Sequence, residues 1–119
     1  MIIKNQKNSE KITGNEGAII YDLLNPQHVV NRIRYSLAYV NLPHGKSTVS
    51  HIMKTSEVYY ILEGKGVLYI NNESDSVEAG DTIFVLPGSK QYIENVGSGD
   101  LKFLCIVDPA WKKDNETIL

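Results

Sequence analysis

The sequence predicts an all-β fold of two antiparallel sheets, an antiparallel sandwich or a jelly roll. Short runs rich in β-branched and aromatic residues follow one another along the 119 residues. Turn-forming residues separate these runs at intervals of about 8–12 residues. No segment before residue 111 has the periodicity of an amphipathic helix, and no internal repeat divides the chain. The pattern therefore indicates a single β domain.

The predicted elements follow in chain order. Residues 1–16 form a polar arm, either a loose segment or an edge strand, residues 17–110 form the domain, and residues 111–119 form a tail. Strands are predicted at 17–24, 32–42, 48–53, 57–62, 66–70, 82–86, 91–96 and 101–107. Polar turns join them, among them 71–75 and 87–89. The second of these turns has a clear mechanism, because proline presets φ and glycine accepts a positive φ.

Composition and charge narrow the classes of function. The formal net charge is −2 and the pI is near 5.9, which argues against a nucleic-acid or anionic-membrane surface. No apolar run approaches the roughly 18–20 residues of a membrane span, and the N-terminus lacks the apolar core of a signal peptide. The single cysteine, Cys105, excludes an intrachain disulfide and a cysteine cluster for zinc. We expect a cytoplasmic protein with no nucleic-acid or membrane partner.

The candidate chemistry lies in residues 45–64. Side chains alternate along a strand, so His51 and Met53 share one face of the predicted strand 48–53. A short polar turn then brings Glu57 back beside them on the next strand. An imidazole nitrogen and a carboxylate oxygen that converge inside an apolar β shell are common ligands of a first-row metal ion.

The spacing of residues 45–64 resembles the first signature of the cupin superfamily, Gly-x5-His-x-His-x(3 or 4)-Glu-x6-Gly. Every fixed position matches except the second histidine, which is Met53 here. The resemblance implies a double-stranded β-helix, the jelly-roll barrel of the cupins, built from two antiparallel sheets.

Residues 80–95 are similar to the second cupin signature, Gly-x5-Pro-x-Gly-x2-His-x3-Asn. The positions that match are Gly80, Gly88 and Asn95. The proline is displaced by one position to Pro87, and Gln91 stands where the signature has its metal-binding histidine. The departure at Gln91, like that at Met53, weakens the metal site that the family resemblance implies.

The resemblance implies a divalent metal ion held by His51, Glu57 and Gln91, with Met53 as a poor fourth ligand. A thioether is a weak ligand for Fe, Mn or Zn and suits Cu(I) better. Two strong and two weak ligands predict low affinity for any of Zn, Mn, Fe, Ni or Cu, and one histidine disfavours dioxygenase chemistry. The alternative is a metal-free cavity in which His51 and Glu57 form a charge-assisted hydrogen bond and Met53 fills space.

Within the cupins, residues 59–66 and 101–111 look similar to the metal-binding domain of mannose-6-phosphate isomerases. This likeness implies a sugar or sugar phosphate as the ligand, and a metal that polarises a carbonyl while a base moves a proton. Two interpretations stay open. One is a small-molecule-binding cupin with a degenerate metal site and isomerase-like chemistry, and the other is a metal-free binding or sensor module without catalytic activity.

Other titratable and aromatic residues have plainer predicted roles. His28 and His44 lie in loop-like stretches without a partner at ligand spacing, so we expect both to be solvated. Cys105 is expected to be a small buried hydrophobe. Several aromatic residues are expected mainly in the core or at an interface, with the remainder along the barrel wall: Tyr35, Tyr59, Tyr69, Tyr92 and Phe103.

Two predicted strands are apolar on both faces. These are 57–62 and 101–107, whose second faces carry Val58, Tyr60, Leu62, Leu104 and Ile106. A sheet that faces water on one side normally carries polar residues there. We therefore expect this face to be covered, either by the chain's own termini or by a second subunit. Cupins commonly pair through a sheet, so the resemblance implies a homodimer.

Overall fold

The computed structural model describes residues 1–14, 17–28 and 33–119, and within them it confirms the all-β prediction. The end of the predicted arm, at 15–16, and the start of the strand predicted from Arg32 lie outside these residues. The strands are β1 (Glu10–Thr13), β2 (Ile19–Leu24), β3 (Ser36–Leu42), β4 (His51–Met53), β5 (Ser56–Glu63), β6 (Lys65–Ile70), β7 (Glu73–Glu78), β8 (Thr82–Val85), β9 (Lys90–Asn95), β10 (Leu101–Asp108) and β11 (Glu116–Ile118). No helix in the described part of the chain is long and apolar enough to cross a membrane.

The strands form two antiparallel sheets wound around one core. The larger sheet has the order β1-β2-β3-β10-β5-β8, and the smaller has the order β11-β4-β9-β6-β7. From β3 to β11 the chain changes sheet at almost every connection, which is the connectivity of a jelly roll. The predicted double-stranded β-helix is therefore confirmed.

The core lies between the inner faces of the two sheets. Strands β5 and β10 alternate between buried and more exposed positions, because successive side chains of a strand point to opposite faces. Four aliphatic side chains are completely buried there: Leu42, Ile61, Ile93 and Leu101. Each contributes about 1.5–3 kcal/mol by leaving water, so the apolar alternation recognised in the sequence also supplies the packing of the barrel.

Asn95, a matched position of the second signature, has a structural role. Its side-chain amide donates hydrogen bonds to the carbonyl oxygens of Leu42 at 3.0 Å and Gly99 at 2.8 Å. Its side-chain oxygen accepts from the backbone N–H of Gly97 at 2.9 Å. The side chain is buried, so it satisfies three backbone groups that would otherwise lose their partners. Asn95 thereby joins the end of β3 to the turn before β10.

The structure contains two strands that the sequence analysis did not predict. The sequence predicts a turn at 71–75 and no strand after it, but β7 pairs with β6 from Glu73 to Glu78. Only Val77 of β7 is buried, so this edge strand has no apolar alternation to reveal it. In the tail, β11 pairs with β4, and Glu116 lies opposite Met53. The tail therefore extends the smaller sheet.

The outer face of the larger sheet is apolar across four strands. The register places Leu37, Ile106, Val58 and Phe84 side by side on β3, β10, β5 and β8. Phe84 is 59 % exposed, and Tyr60 and Ile106 also remain exposed. The terminal strands β1 and β11 extend sheet edges and do not lie over this face. The sequence predicts that either the chain's own termini or a second subunit covers this face. In the described residues, the terminal strands do not cover it.

Candidate functional site

A cavity of about 300 Å³ lies between the two sheets. Apolar side chains such as Val40, Phe103 and Val107 form much of its wall, and His51 and Glu57 are among its polar lining residues. Its size falls at the lower end of the range of small-molecule sites. A larger depression of about 570 Å³ follows β6, β7 and β8, but its polar lining from 73 to 76 is exposed and includes none of the predicted ligands. The cavity inside the barrel is therefore the candidate site.

His51 is held in one orientation by the backbone. Its Nδ1 lies 2.8 Å from the carbonyl oxygen of Val49. Because a carbonyl oxygen only accepts, Nδ1 carries a proton, and in the neutral ring Nε2 keeps its lone pair. Nε2 lies 3.9 Å from Oε2 of Glu116, and His51 is buried. The imidazole therefore offers Nε2 as an acceptor or as a metal ligand.

Glu57 is a buried carboxyl with an unused oxygen. The residue is 5 % exposed, it lines the cavity, and its Oε1 has no hydrogen-bond partner. Burial raises the pKa of this carboxyl above its ordinary value, while the charge of His51 and hydrogen bonds from Cys105 and Gln91 act in the opposite direction. Buried polar atoms are normally paired, so an orphaned oxygen in a cavity suggests a bound partner.

Gln91, the predicted third ligand, is already engaged. It lies opposite His51 in the pairing of β4 with β9, but it is 1 % exposed and is not among the side chains that line the cavity. The hydroxyl of Tyr59 donates a hydrogen bond to its Oε1 at 2.6 Å. The amide oxygen that a metal would use is therefore occupied by a residue that the sequence analysis did not connect with Gln91.

Met53 lies where the sequence placed it. It lines the cavity together with His51 and is buried, which confirms that positions 51 and 53 share an inward face. The cross-strand partner of Met53 is Glu116, whose side chain also lines the cavity. Oε1 of Glu116 accepts a hydrogen bond from Nε1 of Trp111 at 3.2 Å. The sequence analysis missed Glu116, and the β-branched pair that follows it, Thr117 and Ile118, was the only local signal of a strand.

The donor set of the barrel fits a divalent cation in part. Nε2 of His51 and Oε1 of Glu57 are atoms of the types that bind divalent cations, and neither makes a hydrogen bond among the described residues. The side-chain oxygen of Gln91 already accepts a hydrogen bond from Tyr59. Among the described residues, the group of three such ligand atoms that lie within 4.8 Å of one another is formed by Glu10, Asp22 and His28, of which Asp22 also lines the cavity. In the described part of the chain, His51 and Glu57 belong to no such group of three, although Oε2 of Glu116 lies 3.9 Å from Nε2 of His51.

The two other histidines have partners that the sequence did not reveal. His28 is exposed, as predicted, but its Nε2 lies 3.1 Å from Asp22 Oδ2 and 3.4 Å from Glu10 Oε2. Nδ1 of the exposed His44 lies 2.6 Å from the carbonyl oxygen of Gly97. The expected exposure of His28 is confirmed, whereas its carboxylate partners come from the pairing of β1 with β2, which places Glu10 opposite Asp22 and is not visible in local spacing.

Of the five aromatic residues considered in the sequence, two are buried in the wall of the cavity, two are partly exposed and one is exposed. Tyr59 and Phe103 line the cavity, and their ring centroids are 5.4 Å apart. Tyr69 and Tyr92 instead stack on each other across β6 and β9, with centroids 4.4 Å apart, and Tyr35 is exposed. Two of the five aromatic candidates therefore belong to the site.

Comparisons with known proteins agree with this architecture. A family model described as the cupin domain matches residues 38–107. An uncharacterised protein of Methanocaldococcus jannaschii is 40 % identical over 105 residues, which cover 87 % of this chain and 83 % of that protein. The oxalate-binding protein of Thermotoga maritima is 37 % identical over 86 residues, which cover 71 % of this chain and 70 % of that protein.

A solved structure has the same fold. The crystal structure of a predicted oxalate decarboxylase from Thermotoga maritima aligns with a TM-score of 0.77 and 29 % identity, and the alignment covers 91 % of this chain and 99 % of that one. These similarities are to an oxalate-binding protein and a predicted oxalate decarboxylase, and they do not show the resemblance to mannose-6-phosphate isomerases.

Proposed function

Because the chain belongs to the cupin domain family, we propose that it binds a small molecule in the barrel cavity and that this cavity contains a degenerate divalent-metal site. The observation that carries the proposal is the pair of uncommitted polar atoms, Nε2 of His51 and Oε1 of Glu57, at an otherwise apolar cavity. Unpaired buried polar groups are costly, so their presence in a cavity favours an occupant.

The metal would be held by His51 and Glu57, with weak support from Met53. Gln91 would join only if its side chain turned toward the cavity, which it does not line, and its oxygen already accepts one hydrogen bond from Tyr59. Such a cation would polarise a carbonyl or carboxylate oxygen of a bound ligand. With two strong donors, the affinity for Zn, Mn, Fe, Ni or Cu is expected to be low. The rival is the metal-free binding or sensor module, which would use the same cavity without a cation.

The ligand class can be narrowed from the cavity wall. Among the described residues that line it, none is a lysine or an arginine that would pair with a phosphate. This weighs against the sugar-phosphate isomerase that the resemblance implied. The names of the relatives make a dicarboxylate such as oxalate the first ligand to test in metal-loaded protein. The cytoplasmic location and the absence of nucleic-acid and membrane partners stay predictions.

Elemental analysis of protein purified without chelator or nickel resin tests the metal site. His28→Ala must be measured beside His51→Ala, because the exposed cluster of Glu10, Asp22 and His28 can also take up a cation. We expect His51→Ala to remove barrel-bound metal and His28→Ala to leave it. Metal content that falls only in His28→Ala would contradict the barrel site and favour the metal-free rival.

A gain-of-ligand variant gives a second test. Met53 lines the cavity beside His51, so Met53→His should supply the missing imidazole. Isothermal titration with Ni²⁺ or Mn²⁺ should show binding tighter by at least about tenfold, or roughly 1.4 kcal/mol. Both proteins should also carry His28→Ala, so that only the barrel is measured. Equal affinities would mean that position 53 does not contribute to a cation site.

A further inference from the structure

We infer, on the basis of the proposed small-molecule site, that the metal-free cavity selects ligands with an apolar body and a hydrogen-bond-donating head, a hydroxyl or an amine, and rejects organic anions. The inference depends on which polar atoms of the cavity are still free. It concerns the chemical class of the ligand, which neither the family nor the relatives' names assign to this chain.

Three polar atoms of the cavity are free acceptors. His51 donates from Nδ1 to Val49, which leaves the lone pair of Nε2. Glu57 Oε1 has no partner. Glu116 uses Oε1 for the indole N–H of Trp111, while its Oε2 lies 3.9 Å from His51 Nε2, beyond hydrogen-bond distance. A hydroxyl or ammonium group would satisfy such atoms, and a carboxylate would meet electron-rich oxygens and a lone pair.

The strongest donors of the wall are already used inside the protein. The Tyr59 hydroxyl donates to Gln91 at 2.6 Å, and the Trp111 indole donates to Glu116 at 3.2 Å. The side-chain amide of Asn25 donates to the carbonyl oxygen of Trp111 at 3.2 Å. No described lining residue is a lysine or an arginine. The Ser36 hydroxyl accepts from the backbone N–H of Trp111 and keeps its own proton as a donor. One neutral hydroxyl compensates little of the hydration that an anion would lose, which is a large cost in an apolar site.

The rest of the cavity suits an apolar body. Its wall includes Ile20, Ala38, Val40, Phe103 and Val107. An apolar cavity of about 150 Å³ is already large enough for benzene, and this one measures about 300 Å³. A bicyclic aromatic compound with one polar head is therefore a reasonable probe of both its size and its polarity.

The test uses three probes that share one body: naphthol, naphthylmethylamine and naphthoate. Binding is measured by isothermal titration near neutral pH after dialysis against EDTA. We expect naphthol or the amine to bind at least about tenfold more tightly than naphthoate. Which of the two binds more tightly identifies the head group, a neutral hydroxyl or a cationic amine.

Two matched variants localise the effect. Glu57→Gln and Glu116→Gln each replace an acceptor oxygen by an amide N–H₂ donor with little change of shape. Each should reduce the preference over naphthoate by about tenfold. Glu94→Gln on β9 is the control, because in the described structure Glu94 does not line the cavity and its side chain accepts a hydrogen bond from Tyr69. Thermal unfolding of each variant shows that it is folded. If one cavity variant does not fold, the other is sufficient to test the ligand preference.

The outcomes separate this inference from the proposed function. Equal or tighter binding of naphthoate overturns the inference but leaves a small-molecule site standing. Binding of naphthol that both cavity variants leave unchanged would place the site outside the barrel and contradict the proposed function as well. Failure of all three probes to bind also overturns the inference.

Discussion

Replacement of Gly64 by alanine is predicted to destabilise the barrel far more than the same replacement of Gly80. Both glycines have φ of +94°, so both substitutions force a side chain into the left-handed region. That strain costs about 1–2 kcal/mol, and the reduced entropy of the unfolded chain offsets about 0.4–1 kcal/mol of it. The difference between the two sites comes from their surroundings.

Gly64 is the single residue between β5 and β6, where the chain passes from one sheet to the other. A Cβ there would lie 2.6 Å from the carbonyl oxygen of Asp100 and 3.1 Å from Cα of Leu101. At Gly80 nothing lies within 4 Å. Overlap with backbone is relieved only by moving the turn, which costs about 1–3 kcal/mol more. We expect a loss of about 1 kcal/mol for Gly80→Ala and about 2–4 kcal/mol for Gly64→Ala.

Urea unfolding followed by circular dichroism measures these losses, provided that the m-values of the variants agree. Gly99→Ala is the control for a glycine-to-alanine change without strain or overlap, because Gly99 has no positive φ and a Cβ there would have no atom within 4 Å. It should stabilise the protein by about 0.4–1 kcal/mol, because nothing offsets the reduced entropy of the unfolded chain. If Gly64→Ala and Gly80→Ala were equally destabilised, the close approach of the β5–β6 corner to Asp100 would be refuted.

Three further predictions concern assembly, pH dependence and the second signature. The exposed apolar face should make the protein a dimer at micromolar concentration in analytical ultracentrifugation, and Tyr60→Glu or Ile106→Glu should give monomers; a monomeric wild type would remove the claim. Burial raises the pKa of Cys105 and Tyr59 well above their ordinary values of 9.0 and 10.0. The unfolded chain therefore releases these protons first, so the free energy of unfolding should fall as the pH rises above about 9. A free energy of unfolding that stays constant in urea titrations from neutral pH to well above that value would contradict the prediction. Asn95→Ala should cost about 2–3 kcal/mol because it leaves buried backbone groups unpaired, whereas a loss below about 0.5 kcal/mol in urea unfolding would show that water replaces the amide.

The elements that sequence reasoning predicted correctly are those set by local pattern. Strand β10 alternates in burial along its whole length, and the same alternation is legible in the residues themselves. His51 and Met53 share an inward face because they are two residues apart on one strand. Cys105 is buried as expected. These statements depend on residues that are neighbours in the chain, so the sequence contains the information directly.

The failures have a common origin in weak local signals. Strand β7 carries one buried residue, and its pairing with β6 supplies the strand conformation that its polar composition does not predict. Strand β11 has three residues and exists as an extension of β4. For both, the hydrogen bonds to a neighbouring strand outweigh the intrinsic preference of the segment, because β propensity depends strongly on the strand's neighbours.

The sequence by itself determined the fold class, the two signature blocks and the inward direction of His51, Met53 and Glu57. Only the tertiary structure decided which of the candidate atoms are free. Tyr59 occupies the oxygen of Gln91, Glu116 reaches the cavity from the end of the chain, and His28 acquires two carboxylate partners. The physical reason is that alternation along a strand is a property of the local backbone, whereas side-chain partners depend on strand register and on the packing of one sheet against the other, which arise only when distant segments meet.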